Sequence, residues 1–202
     1  MSETRRVVDV SGLPSVVFGY RNIVSWGTLG FVVIEGFTLV LMAASYLYLR
    51  LGEVAWPPGR TPLPDLLIPS IQVVVLLVTM VPMWMADHAA RRFERRRVGL
   101  LLVVATALTA VSVVLRWFDL LALNCRWDAH AYGSAAWGVV VLHGTLLAVN
   151  LVETAVLAWV FLSGRAERKN YPDASDAAGY QYYLSLSWVP LYLIVYWGPR
   201  IL

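Results

Sequence analysis

The chain has 202 residues, of which 59% are hydrophobic and 14% charged, with 16 Lys and Arg against 13 Asp and Glu. Soluble domains run at roughly 45–50% apolar and about 25% charged, so a water-facing exterior cannot be covered, and a soluble enzyme, a nucleic-acid-binding domain and a disordered tail are all excluded. The net charge of +3 fits basic loops on one side of a membrane, and the single cysteine, Cys125, excludes an internal disulfide and a multi-thiolate metal cluster.

Residues 1–22 read as a cytoplasmic amino-terminal segment. Glu3, Arg5, Arg6, Asp9 and Pro14 leave no room for the apolar core of a cleavable signal, so the first helix is expected to act as its own insertion signal. Residues 23–202 read as one membrane domain. Between Arg21 and Arg50 only Glu35 interrupts an apolar run; Leu66–Ala86, Val98–Leu115 and Ala177–Pro199 carry no charge; Ala131–Leu162 contains only His143 and Glu153 as ionisable residues. Each run meets or nearly meets the roughly 20 residues that a helix needs to cross about 30 Å of hydrocarbon. The runs are continuously apolar rather than alternating, which points to helices and not to a barrel. The expectation is an all-α integral membrane protein with five transmembrane helices, at about 23–49, 66–86, 98–118, 134–162 and 178–199.

Arginines and lysines orient it. With the amino terminus inside, 11 lie on the inner side and 5 on the outer, which places the amino terminus inside and the carboxyl terminus outside. The connector from Arg91 to Arg97 carries most of that bias. It reads as a topology anchor against anionic headgroups, with a specific lipid or protein site as the alternative. Aromatic residues near the expected interfaces (Tyr46, Tyr48 and Trp56; Trp117 and Phe118; Trp127, Tyr132 and Trp137; Tyr180, Tyr182 and Tyr183; Tyr196 and Trp197) read as belt anchors.

Ionisable residues at membrane depth are costly and need a partner, a neutral state or water. Glu35 lies near the centre of the first span beside Gly27, Gly30 and Gly36, glycines that are expected to admit a neighbouring helix. It reads either as a neutral carboxyl that donates a hydrogen bond across a helix interface and holds two helices together, or as part of a proton or lipid site. In the fourth span His143 and Asn150 are seven apart and share a face, with Glu153 beside it; interhelical hydrogen bonding is the expected role. His88 and His130 fall on opposite sides of the membrane, so no histidine cluster for a metal or haem is expected. Arg116 and Asp119 stand at i, i+3, in reach of an ion pair. Pro82 and Pro190 free the carbonyls of Val78 and Leu186, as packing kinks do.

These residues resemble subunit III of haem–copper respiratory oxidases, the cytochrome c oxidase subunit 3 family, from about Trp26 to the carboxyl terminus. Trp26–Arg50 is similar to a family helix with Trp-Gly early and a central glutamate, on which Glu35 falls. Tyr132, Gly133, Ser134, His143 and Gly144 keep the spacing of a Tyr-Gly-Ser…His-Gly pattern, and Tyr180, Trp188, Tyr192, Tyr196 and Trp197 match the last helix. Departures are also plain. The family's last-helix histidine and aspartate fall on Tyr182 and Ser185, its second histidine on Leu146, its serine before the glutamate on Ile34, and a Gln-x-x-Glu-Tyr element on Arg116, Asp119 and Leu120.

The resemblance implies a short five-helix form and a non-catalytic accessory subunit of a proton-translocating terminal oxidase (cytochrome c or quinol) in a prokaryotic plasma membrane. Such a subunit packs on catalytic subunit I and on subunit II, binds phospholipid and supports oxygen and proton access. It binds no cofactor itself, haem and copper being held by the catalytic partner, and nucleic acid is not a partner. Candidate lipid or subunit contacts are Glu35, His143, Asn150, Glu153, Arg116 and Asp119. The alternatives are an accessory subunit of a nitric oxide reductase, or a small transporter or proton-conducting protein using Glu35 and the His143–Glu153 stripe.

Overall fold

The computed structural model describes residues 16–201. After a short 3-10 turn, five long helices follow: α1 (Ile23–Leu51), α2 (Leu67–Arg91), α3 (Arg95–Leu121), α4 (Ala131–Leu162) and α5 (Asn170–Tyr192). α5 runs on through a wide turn at Leu193–Trp197 into a last helical turn, α6 (Gly198–Ile201). The first four are long and apolar enough to cross a membrane. α5 is more polar because it begins at Asn170, well before the apolar run, and takes in Asp173 and Asp176. The expected kink residues lie inside helices: Pro82 in α2 and Pro190 in α5, three residues before the wide turn begins.

α2, α3, α4 and α5 form a four-helix bundle in which α3 packs between α2 and α4, and α5 closes against α2 and α4. Small residues allow close approach between helices. Gly99 of α3 faces Phe161 and Leu162 of α4 at a distance that a methyl group would breach. α1 leans on the α4–α5 edge, and its only buried residues are Leu39, Ala43 and Tyr46. Its entry is fixed by Asn22, whose side chain accepts from the Val24 amide at 3.1 Å.

Two sequence expectations need correction. Tyr46, Trp56, Tyr132, Tyr180 and Tyr196 are buried and are not belt anchors. The first three pack together, with ring centroids 5.0–6.0 Å apart and the Trp56 indole donating to the Tyr46 hydroxyl. The rings pack in the core because the loop after α1 folds back over the start of α4; Trp117 and Trp127 do stay exposed. Nor do all three glycines of α1 admit a helix of this chain. A side chain at Gly36 would meet Tyr183, whereas Gly27 and Gly30 face open space, because the first half of α1 stands away from α4 and α5.

Candidate functional site

That separation leaves a recess of about 370 Å3 between α1, α4 and α5, lined by Val24, Gly27, Thr28, Phe31, Glu35, Val149, Glu153 and Tyr180. Two carboxyls from different helices therefore share one apolar groove. The Tyr180 hydroxyl donates to Glu35 Oε2 at 2.8 Å, so the carboxyl acts as the acceptor in this interhelical bond. Glu153 is exposed and turned into this groove, away from His143. Ten residues on an α-helix turn the side chain about 80° from its starting direction, enough to carry Glu153 off the buried face. The expected His143–Glu153 stripe is thus two sites: His143 and Asn150 face the bundle, and Glu153 faces Glu35.

Arg116 and Asp119 are brought together and buried more deeply than an interface pair. Arg116 Nη1 donates to Asp119 Oδ2 at 3.0 Å, with the side chains 6% and 0% exposed. The other guanidinium nitrogen, Nη2, donates to His143 Nδ1 at 3.0 Å. Arginine cannot accept a hydrogen bond, so Nδ1 is the bare nitrogen, and Nε2 carries the hydrogen given to the Leu184 carbonyl at 2.9 Å. Both ring nitrogens are thereby engaged within the protein. The indole of Trp188 covers the guanidinium at 3.7 Å, and the Tyr196 hydroxyl donates to the Asp119 carbonyl at 2.8 Å. Gly144 makes the approach possible, since a Cβ there would lie 2.8 Å from Arg116 Cγ. Gly144→Ala is expected to displace Arg116 from His143 and to cost about 1–3 kcal/mol, read as lowered thermal stability of the purified chain; an unchanged transition contradicts it.

Two turns further along, Asn150 Nδ2 donates to Gln181 Oε1 at 2.5 Å, Gln181 Nε2 to Ser185 Oγ, and Ser185 Oγ to the Leu76 carbonyl. This chain of bonds ties α4 to α5 and α5 to α2. Gln181, Ser185, Trp188, Tyr180 and Gly144 were not among the sequence candidates. Gln181, Ser185 and Trp188 do recur at helical spacing on one face of α5, the signal by which they could have been found. Among the described residues no group of three or more His, Cys, Asp or Glu is placed to hold a metal ion.

The chain is similar to several curated proteins. It is 20% identical to cytochrome c oxidase subunit 3 of Synechocystis sp. over 179 residues, 88% of this chain and 77% of that protein. With cytochrome c oxidase subunit 3 of Thermostichus vulcanus it shares 20% over 176 residues, 84% and 85% of the two chains. With that of Rattus norvegicus it shares 24% over 143 residues, 70% of this chain but about half, 55%, of the rat protein. No protein-family model matches.

Proposed function

From this similarity, which supports a divergent member of the cytochrome c oxidase subunit 3 family, we propose that the chain is a non-catalytic accessory subunit of a haem–copper terminal oxidase in a prokaryotic plasma membrane. α5 is the fifth span, the amino terminus is inside and the carboxyl terminus outside. The chain packs on the catalytic subunit that holds the haem and copper, beside a second subunit, and carries phospholipid in the grooves along α1. The observation that carries this reading is similarity to subunit 3 proteins over most of the chain, from cyanobacterial to mammalian sequences. The exposed face of α1 supports it: Leu29, Phe31, Val33, Ile34, Phe37 and Val40 are all open, a surface suited to lipid or a neighbouring subunit. The membrane-facing Glu35–Tyr180–Glu153 groove is the place for proton or oxygen access.

The test is purification of the tagged chain from its native membrane. Co-purifying haem proteins with oxidase activity are expected, and a preparation free of haem-bearing partners refutes the assignment. The paired carboxyls of the groove favour a transporter as the second reading; cation or proton flux in proteoliposomes of this chain alone would establish it, and flux no higher than in empty vesicles removes it.

Glu35→Gln is expected to leave assembly largely intact, because an amide oxygen accepts from Tyr180 as the carboxyl does. Glu35→Ala leaves that hydroxyl unpaired among apolar helices, a loss of about 1–3 kcal/mol. Recovery of intact complex after each substitution is the measurement, and equal loss in both variants contradicts the assignment of Glu35 as acceptor.

A further inference from the structure

The inner end of the bundle carries a second kind of surface. Where α2 meets α3, a recess of about 200 Å3 is lined by Trp84, Met85, His88, Ala89, Arg92 and Arg97. One turn deeper along α2, an apolar groove of about 380 Å3 is lined by Met80, Val81, Trp84 and Tyr182. Trp84 belongs to both and is 56% exposed, so the two are continuous along one face of α2. The upper half is cationic and the lower half is hydrocarbon-like.

Among the described residues the charges of the upper half are only partly paired. Arg91 is paired with Asp87 at 3.0 Å, outside the recess. Arg97 meets Glu94 at 3.1 Å through one guanidinium nitrogen, and Arg92 has no ion pair among the described residues. His88 donates through Nδ1 to the Trp84 carbonyl at 2.9 Å, and its ring lies 4.3 Å from the Trp84 ring, which fixes the recess wall. α3 begins here with Arg95, Arg96 and Arg97, no acidic residue in its first turn and no side-chain cap. A helix amino terminus already favours negative charge, and three arginines against the one carboxylate of Glu94, the residue that precedes them, leave an excess of positive charge at this end.

We propose that this groove binds an anionic phospholipid, its phosphodiester held by Arg92 and Arg97 beside His88 and an acyl chain lying along Met80, Val81, Trp84 and Tyr182. The site deepens the lipid-binding part of the proposed function and rests on it only in placing the α2–α3 connector at the inner membrane surface. A soluble anion would use the arginines but leave the apolar half uncovered; an acidic protein segment would not follow α2 into the hydrocarbon. A lipid meets both halves.

The experiment is native mass spectrometry of the delipidated full chain after exchange with equimolar phosphatidylglycerol and phosphatidylcholine. The chain is expected to retain phosphatidylglycerol preferentially, by about fivefold for each engaged arginine. The Arg92→Gln/Arg97→Gln double variant is expected to fall to parity. Arg95→Gln/Arg96→Gln removes the same charge from the same connector outside the recess and is expected to keep the preference. No preference in the unaltered chain, or equal loss in the two double variants, overturns the site. So does displacement of the lipid by an equal concentration of glycerophosphoglycerol, which lacks acyl chains. The topology is tested separately: an Arg96→Cys probe in a Cys125→Ser background that is labelled only from the outer face overturns the orientation, and leaves the binding result to stand or fall by itself.

Discussion

Asp119→Ala is expected to destabilise the chain by about 3–5 kcal/mol, the range for breaking a buried ion pair from one side. Arg116 is 5% exposed, and its only carboxylate partner among the described residues is Asp119. With that carboxylate gone, the guanidinium keeps a neutral imidazole nitrogen at 3.0 Å and an indole face at 3.7 Å, neither of which balances a full charge out of water. The paired variant Arg116→Met/Asp119→Leu removes both charges and is expected to recover most of the loss, because apolar residues of similar volume often replace a buried pair at little cost. Recovery stays incomplete, since His143 Nδ1 then has no donor. Unfolding of the purified chain in mixed micelles, followed by helicity, reads both. If the double variant is as unstable as Asp119→Ala, or if Asp119→Ala falls within about 0.5 kcal/mol of the unaltered chain, the charge balance described here is wrong.

The i, i+3 spacing made the Arg116–Asp119 pair legible from sequence, since it depends on one helix alone. The link to His143 was not, because it depends on the register of α3 against α4, which is set by the loop between them and by the room left at Gly144. The same limit separated Glu153 from His143: both lie on α4, but which neighbour each meets is decided by where α1 and α5 pack. Helices α1 to α4 could be read from long apolar runs with at most one carboxylate each, because lipid imposes a single rule on every residue of a span. The start of α5 could not, since Asn170–Asp176 satisfies its backbone outside that rule and carries no apolar signature. Aromatic residues were the least decisive signal. Tyr and Trp suit an interface belt and a core equally well by composition, and only the fold-back of the segment around Trp56 sends Tyr46 and Tyr132 inward.

Gly133→Ala is expected to be the most damaging single-methyl change, at about 3 kcal/mol, the upper end of overpacking costs. A Cβ at Gly133 would fall against the carbonyl oxygen of Arg126, which is backbone and cannot swing aside as a side chain would. Every neighbour of that position is committed to holding the same loop. The Gly133 amide donates to His130 Nδ1 at 3.0 Å, capping α4, while His130 Nε2 bonds Thr61 at 2.9 Å. Ser134 Oγ donates to the Trp127 carbonyl at 2.6 Å, and the Trp137 indole to the Cys125 carbonyl at 2.9 Å. Tyr132 sits in the aromatic cluster with Tyr46 and Trp56. Moving the Arg126 carbonyl therefore loosens the cap, the loop and the packing of the loop after α1 together. The Tyr132-Gly133-Ser134 sequence follows from these contacts without reference to any partner. Gly179 is the control: it lies in α5 with open space where a Cβ would go, so Gly179→Ala is expected to be neutral or to stabilise by about 0.5–1 kcal/mol. Thermal unfolding of the two variants side by side decides the matter, and a Gly133→Ala protein as stable as Gly179→Ala would show that the loop yields without cost.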